Sequence, residues 1–213
     1  MAGFSSISVS LARHTGPSLR NLLNLIYSRA PLLSKSSGGS IAVDRELLDL
    51  LDMVETPESA EDLVDMVNRY AEKCGGLHGV EFSHDCVTFT GFGEFQDAEH
   101  FHAYEKLAAR MSIMALAQKR ILAKPVNDEN EKYAMHGFLI RLGMNGAELK
   151  PTRKILMERL SGSQAFRTPV QAEQARARNA QRYRERREEM ADLPPLPQEP
   201  EETVTNETAP IKK

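Results

Sequence analysis

At 213 residues, with 41% hydrophobic side chains and no tryptophan, the chain has the size of one domain of about 150–170 residues plus a tail. The longest apolar candidate, Leu19–Leu33, is broken by Arg20, Asn21, Asn24, Arg29 and Pro31, short of the roughly 18 uninterrupted residues of a membrane-spanning helix. Cys74 and Cys86, with no secretory signal, argue against a disulfide framework and for reduced thiols. The formal charge of −3 is segregated. Residues 1–43 hold four bases and no acid, Asp44–Lys106 sixteen acids against four bases (net −12), and Lys119–Arg167 ten bases against five acids (net +5).

The first 39 residues are serine-rich, arginine-bearing and acid-free, as a mitochondrial transit peptide is. Yet Ile7, Val9 and Leu11 alternate with serines, and Leu19, Leu22, Leu23 and Ile26 follow in helix period. That favours a mature strand over 5–11 feeding a helix capped at Thr15 or Ser18, with Pro17 in its first turn. Pro31 is expected to stop this helix, and Ser34–Ser40 (SKSSGGS) to be a flexible connector. Asp44 opens a helix with Leu47, Leu48 and Leu51 on one face. A second helix restarts after Thr56-Pro57-Glu58-Ser59, buries Leu63, Val64, Val67 and Tyr70, and ends at Gly75-Gly76.

Over 79–90 the period changes to two. Val80 and Phe82, then Val87 and Phe89, flank Ser83-His84-Asp85, which predicts a hairpin, paired with the 5–11 strand or laid on a helix. A long helix is expected from Asp97 to about Ala123, stopped by Pro125, with Leu107, Met111, Met114 and Leu116 inward. Glu129–Leu142 follows, burying Ala134, Phe138, Ile140 and Leu142, and Gly143 and Gly146 make the turn. Lys150–Leu160 reads as an amphipathic helix with Ile155, Leu156 and Leu160 on one side and Lys150, Arg153, Lys154 and Arg159 largely on the other. Gln171–Asp192 has almost no apolar stripe and suits a solvated helix. Beyond Pro194 the proline- and acid-rich sequence lacks the apolar surface to order itself.

Cys74, His78, His84, Cys86, His100 and His102 gather within thirty residues, but they show none of the paired spacings of a tetrahedral zinc site; no metal ligand is assigned. His14-Thr15-Gly16 is the one suggestive turn for a nucleophile and base, and a helix cap explains it more cheaply. Ser37-Gly38-Gly39-Ser40 lacks the lysine and spacing of a phosphate loop. No catalytic residue and no cofactor are assigned. The better candidates are cationic: Lys119, Arg120, Lys124, Lys150, Arg153, Lys154, Arg159 and Arg167 would form one phosphate-facing or partner-facing surface if their helices pack side by side.

The run Asn130–Arg167 (NEKYAMHGFLIRLGMNGAELKPTRKILMERLSGSQAFR), with HTGPSLRNLLNLIYSRAPLLSKSSGG and VTFTGF, resembles the uncharacterised "virulence-related protein" family of prophages and conjugative elements in gut Firmicutes, over roughly residues 9–168. The resemblance implies a bacterial cytoplasm and a mobile-element setting, and lends no reaction, cofactor or catalytic residue. Members of that family carry a further N-terminal segment, so it also implies a fragment, a late start codon or a short variant.

The expectation is therefore an α+β fold, mostly helical with a small antiparallel sheet, over 4–168, a marginal charged helix over 169–192 and a disordered tail over 193–213. The function expected is a non-enzymatic accessory or interaction module, its partner a nucleic acid or a mobile-element or host protein, with no membrane. The alternative is an enzyme or enzyme subunit whose site a further N-terminal segment completes.

Overall fold

The computed structural model describes residues 6–95, 97–126 and 129–191, so the tail expected over 193–213 lies outside the described residues. The chain divides into two compact units, Met1–Ala172 and Glu173–Lys213. The first is an α+β fold dominated by helices, with small antiparallel sheets, as its two periodicities require. Among the described residues no helix is long and apolar enough to cross a membrane.

Strand β1 (Ile7–Ser10) pairs with β5 (Cys86–Phe89), which also pairs with β4 (Glu81–Phe82), giving an antiparallel sheet of order β1-β5-β4. The register sets Ile7 opposite Phe89 and Phe82 opposite Val87. These apolar residues are buried, while Ser8 and Thr88 meet hydroxyl to hydroxyl at 2.9 Å on the wet face. The turn closes where Ser83 N–H donates to the Cys86 carbonyl at 2.9 Å. This is the expected hairpin, joined by the expected first strand. A second, two-stranded pair, β2 (Ala42–Val43) with β3 (Leu77–His78), is an addition that the periodicity does not signal, since two residues are too few to show one.

Helix α1 (Gly16–Ser37) is the axis of the core. Thr15 and Ser18 form a reciprocal capping box at its start and Gly38 closes it in the left-handed conformation. Helices α3 (Ala60–Cys74) and α4 (Ala98–Ala117) pack on it, and α2 (Arg45–Asp52) packs on α3. Asn21 meets the Ala115 and Gln118 carbonyls while Ser36 meets Tyr104, so α1 and α4 run antiparallel.

The expectation that Pro31 ends the first helix is wrong, and so is the flexible connector: α1 continues to Ser37 with Pro31 inside it. An interior proline removes one backbone bond and costs about 3 kcal/mol. Here its ring is on the exposed side, while Ala30, Leu32 and Leu33 are buried, each leucine contributing about 1.5–3 kcal/mol by leaving water. Ser34 Oγ donates to the Ala30 carbonyl at 2.8 Å. Ser36 and Ser37, which read as linker, are buried. Ser36 Oγ donates to the Leu156 carbonyl at 2.6 Å and accepts the Tyr104 hydroxyl at 2.8 Å.

The fourth helix is also shorter than expected, ending at Ala117 rather than near Ala123. Residues 118–126 form an irregular strap stitched to α1 by three polar side chains. Asn21 Nδ2 donates to the Gln118 carbonyl (2.7 Å) and its Oδ1 accepts Ile121 N–H (2.7 Å). Asn24 Nδ2 donates to the Ile121 carbonyl (2.8 Å), and Ser28 Oγ accepts Lys124 N–H (3.2 Å). A helix through Ala123 would take up these same backbone groups, so the strap replaces it.

The run from Asn130 closes on itself. Asn130 caps α5 (Glu131–Arg141), Lys132 N–H donates to the Ser161 carbonyl, and Asn130 Nδ2 donates to the Phe166 carbonyl. Glu131 accepts from Lys35 and from the Ser161 amide and hydroxyl at 2.7 and 2.8 Å. Burial opposes its ionisation, but the Lys35 and Ser161 donors outweigh it and hold the carboxyl below its usual range. α5 buries Met135, Phe138 and Leu139, whereas Ile140, expected inside, is exposed. α6 spans only Lys150–Leu156 and packs on α4, with Met157 and Leu160 carrying the buried face beyond it.

Candidate functional site

Two of the eight cationic residues spend guanidinium donors on backbone carbonyls, and six stand exposed with no such bond. Lys119, Arg120 and Lys124 stand exposed on the strap. Beside Lys124 a groove of about 270 Å³ is lined by the apolar Leu122 and Pro125 and edged by Arg29, Lys124 and Arg141. The Arg29 guanidinium sits 4.9 Å from the centre of the Phe138 ring, and Leu122 is 66% exposed. The groove thus joins positive charge to uncovered apolar surface.

Lys150 and Lys154 are exposed on α6. Their neighbours serve the fold. Arg153 Nη1 donates to the Met144 and Gly146 carbonyls at 2.6 and 2.8 Å, locking the turn before α6. Arg159 Nη1 donates to the Ser37 carbonyl at 2.8 Å, closing the C-terminal end of α1. The strap is anchored at Asn24 and Arg159 at Ser37, thirteen residues further along one helix, which is about 20 Å at a rise of about 1.5 Å per residue. Arg167 is exposed beyond the Ser161 turn. The condition of helices packed side by side is therefore met for none of the strap residues with Arg159. What stands open is a strap patch, a pair of α6 lysines and Arg167.

The acidic middle of the chain makes its direct ion pairs elsewhere. Its ion pairs are with neighbours or with the N-terminal helix, as in Arg20–Asp52 at 2.8 Å and Arg45–Asp49 at 2.8 Å. Among the described residues no ion pair joins an acid of 44–106 to a Lys or Arg of 119–167.

His14 is buried between two serines. Ser18 Oγ accepts Thr15 N–H at 2.9 Å and donates to the Thr15 carbonyl at 3.0 Å. That leaves it an acceptor for His14 Nδ1–H at 3.1 Å, so Nε2 accepts the Ser112 hydroxyl at 2.8 Å. Burial holds the imidazole below its usual range, against the smaller upward pull of Ser18, so it is neutral at pH 7. The cap reading of this turn is correct, and Ser112 on α4 is a partner that sequence spacing could not supply. His14 also lines a cleft of about 500 Å³ with Ser10, Thr15, Glu58, Glu61, His84 and Asp85.

The six His and Cys residues considered for metal separate. Cys74 Sγ donates to the Tyr70 carbonyl, His84 pairs with Asp65 (2.8 Å), His100 with Asp97 (2.8 Å), and His102 with Glu105 (3.0 Å). Cys86 contacts Ser83 Oγ at 3.3 Å, and both cysteines are free thiols. Among the described residues no three His, Cys, Asp or Glu side chains converge as a metal site.

No family model, curated protein or solved structure matches the chain.

Proposed function

We propose that the chain is an interaction module of a bacterial mobile element, of the virulence-related kind its sequence resembles, which works in the cytoplasm and uses the strap patch to engage an anionic partner. Nucleic acid is the partner that fits best. One observation carries the reading: Lys119, Arg120 and Lys124 are exposed on the strap, and Lys124 borders an apolar-lined groove edged by Arg29 and Arg141. Phosphate oxygens suit the guanidinium and ammonium groups, and the open Leu122 offers a surface for sugar or base. Arg153 and Arg159 are left out of the binding surface because their donors are used on carbonyls.

The test is binding to nucleic acid at low salt by Lys119→Glu/Arg120→Glu/Lys124→Glu and, separately, by Lys150→Glu/Lys154→Glu, none of which alters a core side chain. The strap variant is expected to bind at least tenfold more weakly, with a log-affinity against log-salt slope flatter by up to about 0.9 for each phosphate it no longer neutralises. Unchanged binding and slope would sink the reading.

A second reading, an enzyme completed by a further segment, is favoured by the His14 cleft and the Ser112–His14 hydrogen bond, the spacing of a nucleophile and its base. Labelling by a serine-directed phosphonate probe, abolished in Ser112→Ala and His14→Gln, would establish it. A chain that stays unlabelled returns the serine to its structural role.

A further inference from the structure

We propose that α7 (Pro169–Ala191) is a second, independent nucleic-acid element, an arginine helix that enters the major groove of duplex DNA. Between Arg176 and Arg187 the chain carries six arginines, one glutamate and no lysine, and every residue of that stretch is exposed. Its sequence places most of these arginines in two adjacent rows of the helix. Arg176, Asn179, Tyr183 and Arg187 recur in steps of three and four, and Arg178, Arg182 and Arg186 in steps of four. Gln174, Ala177 and Gln181 fall on another side, and Glu185, three residues beyond Arg182, borders the second row and accepts from Gln181 Nε2 at 3.0 Å. The one acid of the stretch is thus engaged by Gln181, and among the residues whose side chains are described no ion pair joins it to an arginine.

Three features select the partner. Like charges four apart, Arg178 to Arg182 to Arg186, repel within a bare helix, so an anion is what relieves them. The bias to arginine over lysine suits the two-pronged recognition of phosphate and of guanine. Asn179 and Tyr183 lie in the same row, and asparagine is the side chain that pairs with adenine edges. An acidic protein surface would call for buried apolar anchors, and here Tyr183, 75% exposed, stands alone among the arginines. A membrane surface would call for an apolar face that this helix lacks. Duplex DNA has a major groove about 12 Å wide that admits an α-helix, whereas the A-form RNA groove is too deep and narrow.

The inference does not rest on the strap, and its test separates the two. The full chain is titrated by fluorescence anisotropy with a DNA duplex of about two helical turns, the matching RNA duplex and polyglutamate, across a salt series. Arg176→Gln/Arg182→Gln/Arg186→Gln/Arg187→Gln is expected to flatten the DNA salt slope by roughly 3–4, at about 0.9 for each phosphate that goes unneutralised. The strap residues remain intact in this variant, so its failure and that of the strap variant are read independently. The corresponding fourfold Arg→Lys variant is expected to retain the slope while its preference among DNA sequences disappears. The proposal is overturned if the glutamine variant keeps the parental slope at an unchanged thermal midpoint, or if RNA duplex or polyglutamate binds as tightly as DNA.

Discussion

Two glycines show how far a residue's meaning depends on what approaches it. Gly91 lies where three backbone segments cross: Ser40 N–H donates to its carbonyl at 2.7 Å, and its own N–H donates to the Gly79 carbonyl at 2.8 Å. A Cβ added there would stand 2.0 Å from the Ser40 carbonyl oxygen and 2.6 Å from the Gly79 Cα, both backbone atoms. Neither can rotate aside. Gly137 sits in the middle of α5 with no atom within 4 Å of where a Cβ would go. Gly91→Ala is therefore expected to destabilise by about 3 kcal/mol, the upper range for overpacking, and Gly137→Ala to stabilise by about 0.5–1 kcal/mol through helix propensity. Urea midpoints of the two variants check both signs, and a Gly91→Ala chain as stable as the parent would mean that the crossing yields more easily than its backbone distances imply. In the sequence Gly91 is only a part of VTFTGF, because a non-local crossing leaves no mark in the neighbouring residues.

At the scale of elements, what was legible was what is local. The period-two stretch marks the hairpin, Thr15, Ser59, Asp97 and Asn130 each cap the helix that follows by accepting an N–H, and Gly75 ends α3 in the left-handed conformation. The errors came where tertiary packing overrode local signals. Pro31 and the serines after it look like an ending, yet Leu33, Ser36 and Ser37 continue the buried face in steps of three and one, and the serine hydroxyls find Tyr104 and backbone carbonyls. The strap was missed for a related reason. Asn21, Asn24 and Ser28 form a polar row on an otherwise apolar helix, a sign that something with unpaired backbone must lie against it. That row was in the sequence; the segment it holds, residues 118–126, was not identifiable without the antiparallel pairing of α1 and α4. The basic residues expected at the surface are exposed at Lys119, Arg120, Lys124, Lys150, Lys154, Arg159 and Arg167. Arg153, half-buried, and Arg159, exposed, each bond carbonyls, because a charge on a helix says nothing of the backbone groups a guanidinium can reach.

For the whole molecule, the shifted groups divide the pH response, and His14 carries a part of it just below 6.5. Its folded pKa is held below 6.5 by burial, so on acidification the unfolded chain takes up a proton near 6.5 that the folded chain refuses. Stability is fully present above 6.5 and falls as pH drops through that value towards the folded one. His84 and His100 act with the opposite sign. The Asp65 hydrogen bond raises His84, and the Asp97 hydrogen bond, aided by Glu158, raises His100 against its burial, so what they contribute is present below 6.5 and lost as pH rises through their folded values. Glu131 and Asp97 are both lowered, Asp97 by the His100 amide first, and their contributions fade only below the ordinary carboxylate range. Of these five groups, His14 is the one whose contribution falls as pH drops through 6.5. His14→Gln keeps a donor and an acceptor for Ser18 and Ser112 but cannot titrate. Its urea midpoint is expected to lie below the parent's at pH 7.5, because the imidazole packing is gone, and to change less between pH 7.5 and 5.5 than the parent's does. An equal fall in both chains would show that the buried imidazole takes its proton without unfolding the cap, and that the acid sensitivity of the domain lies with another group.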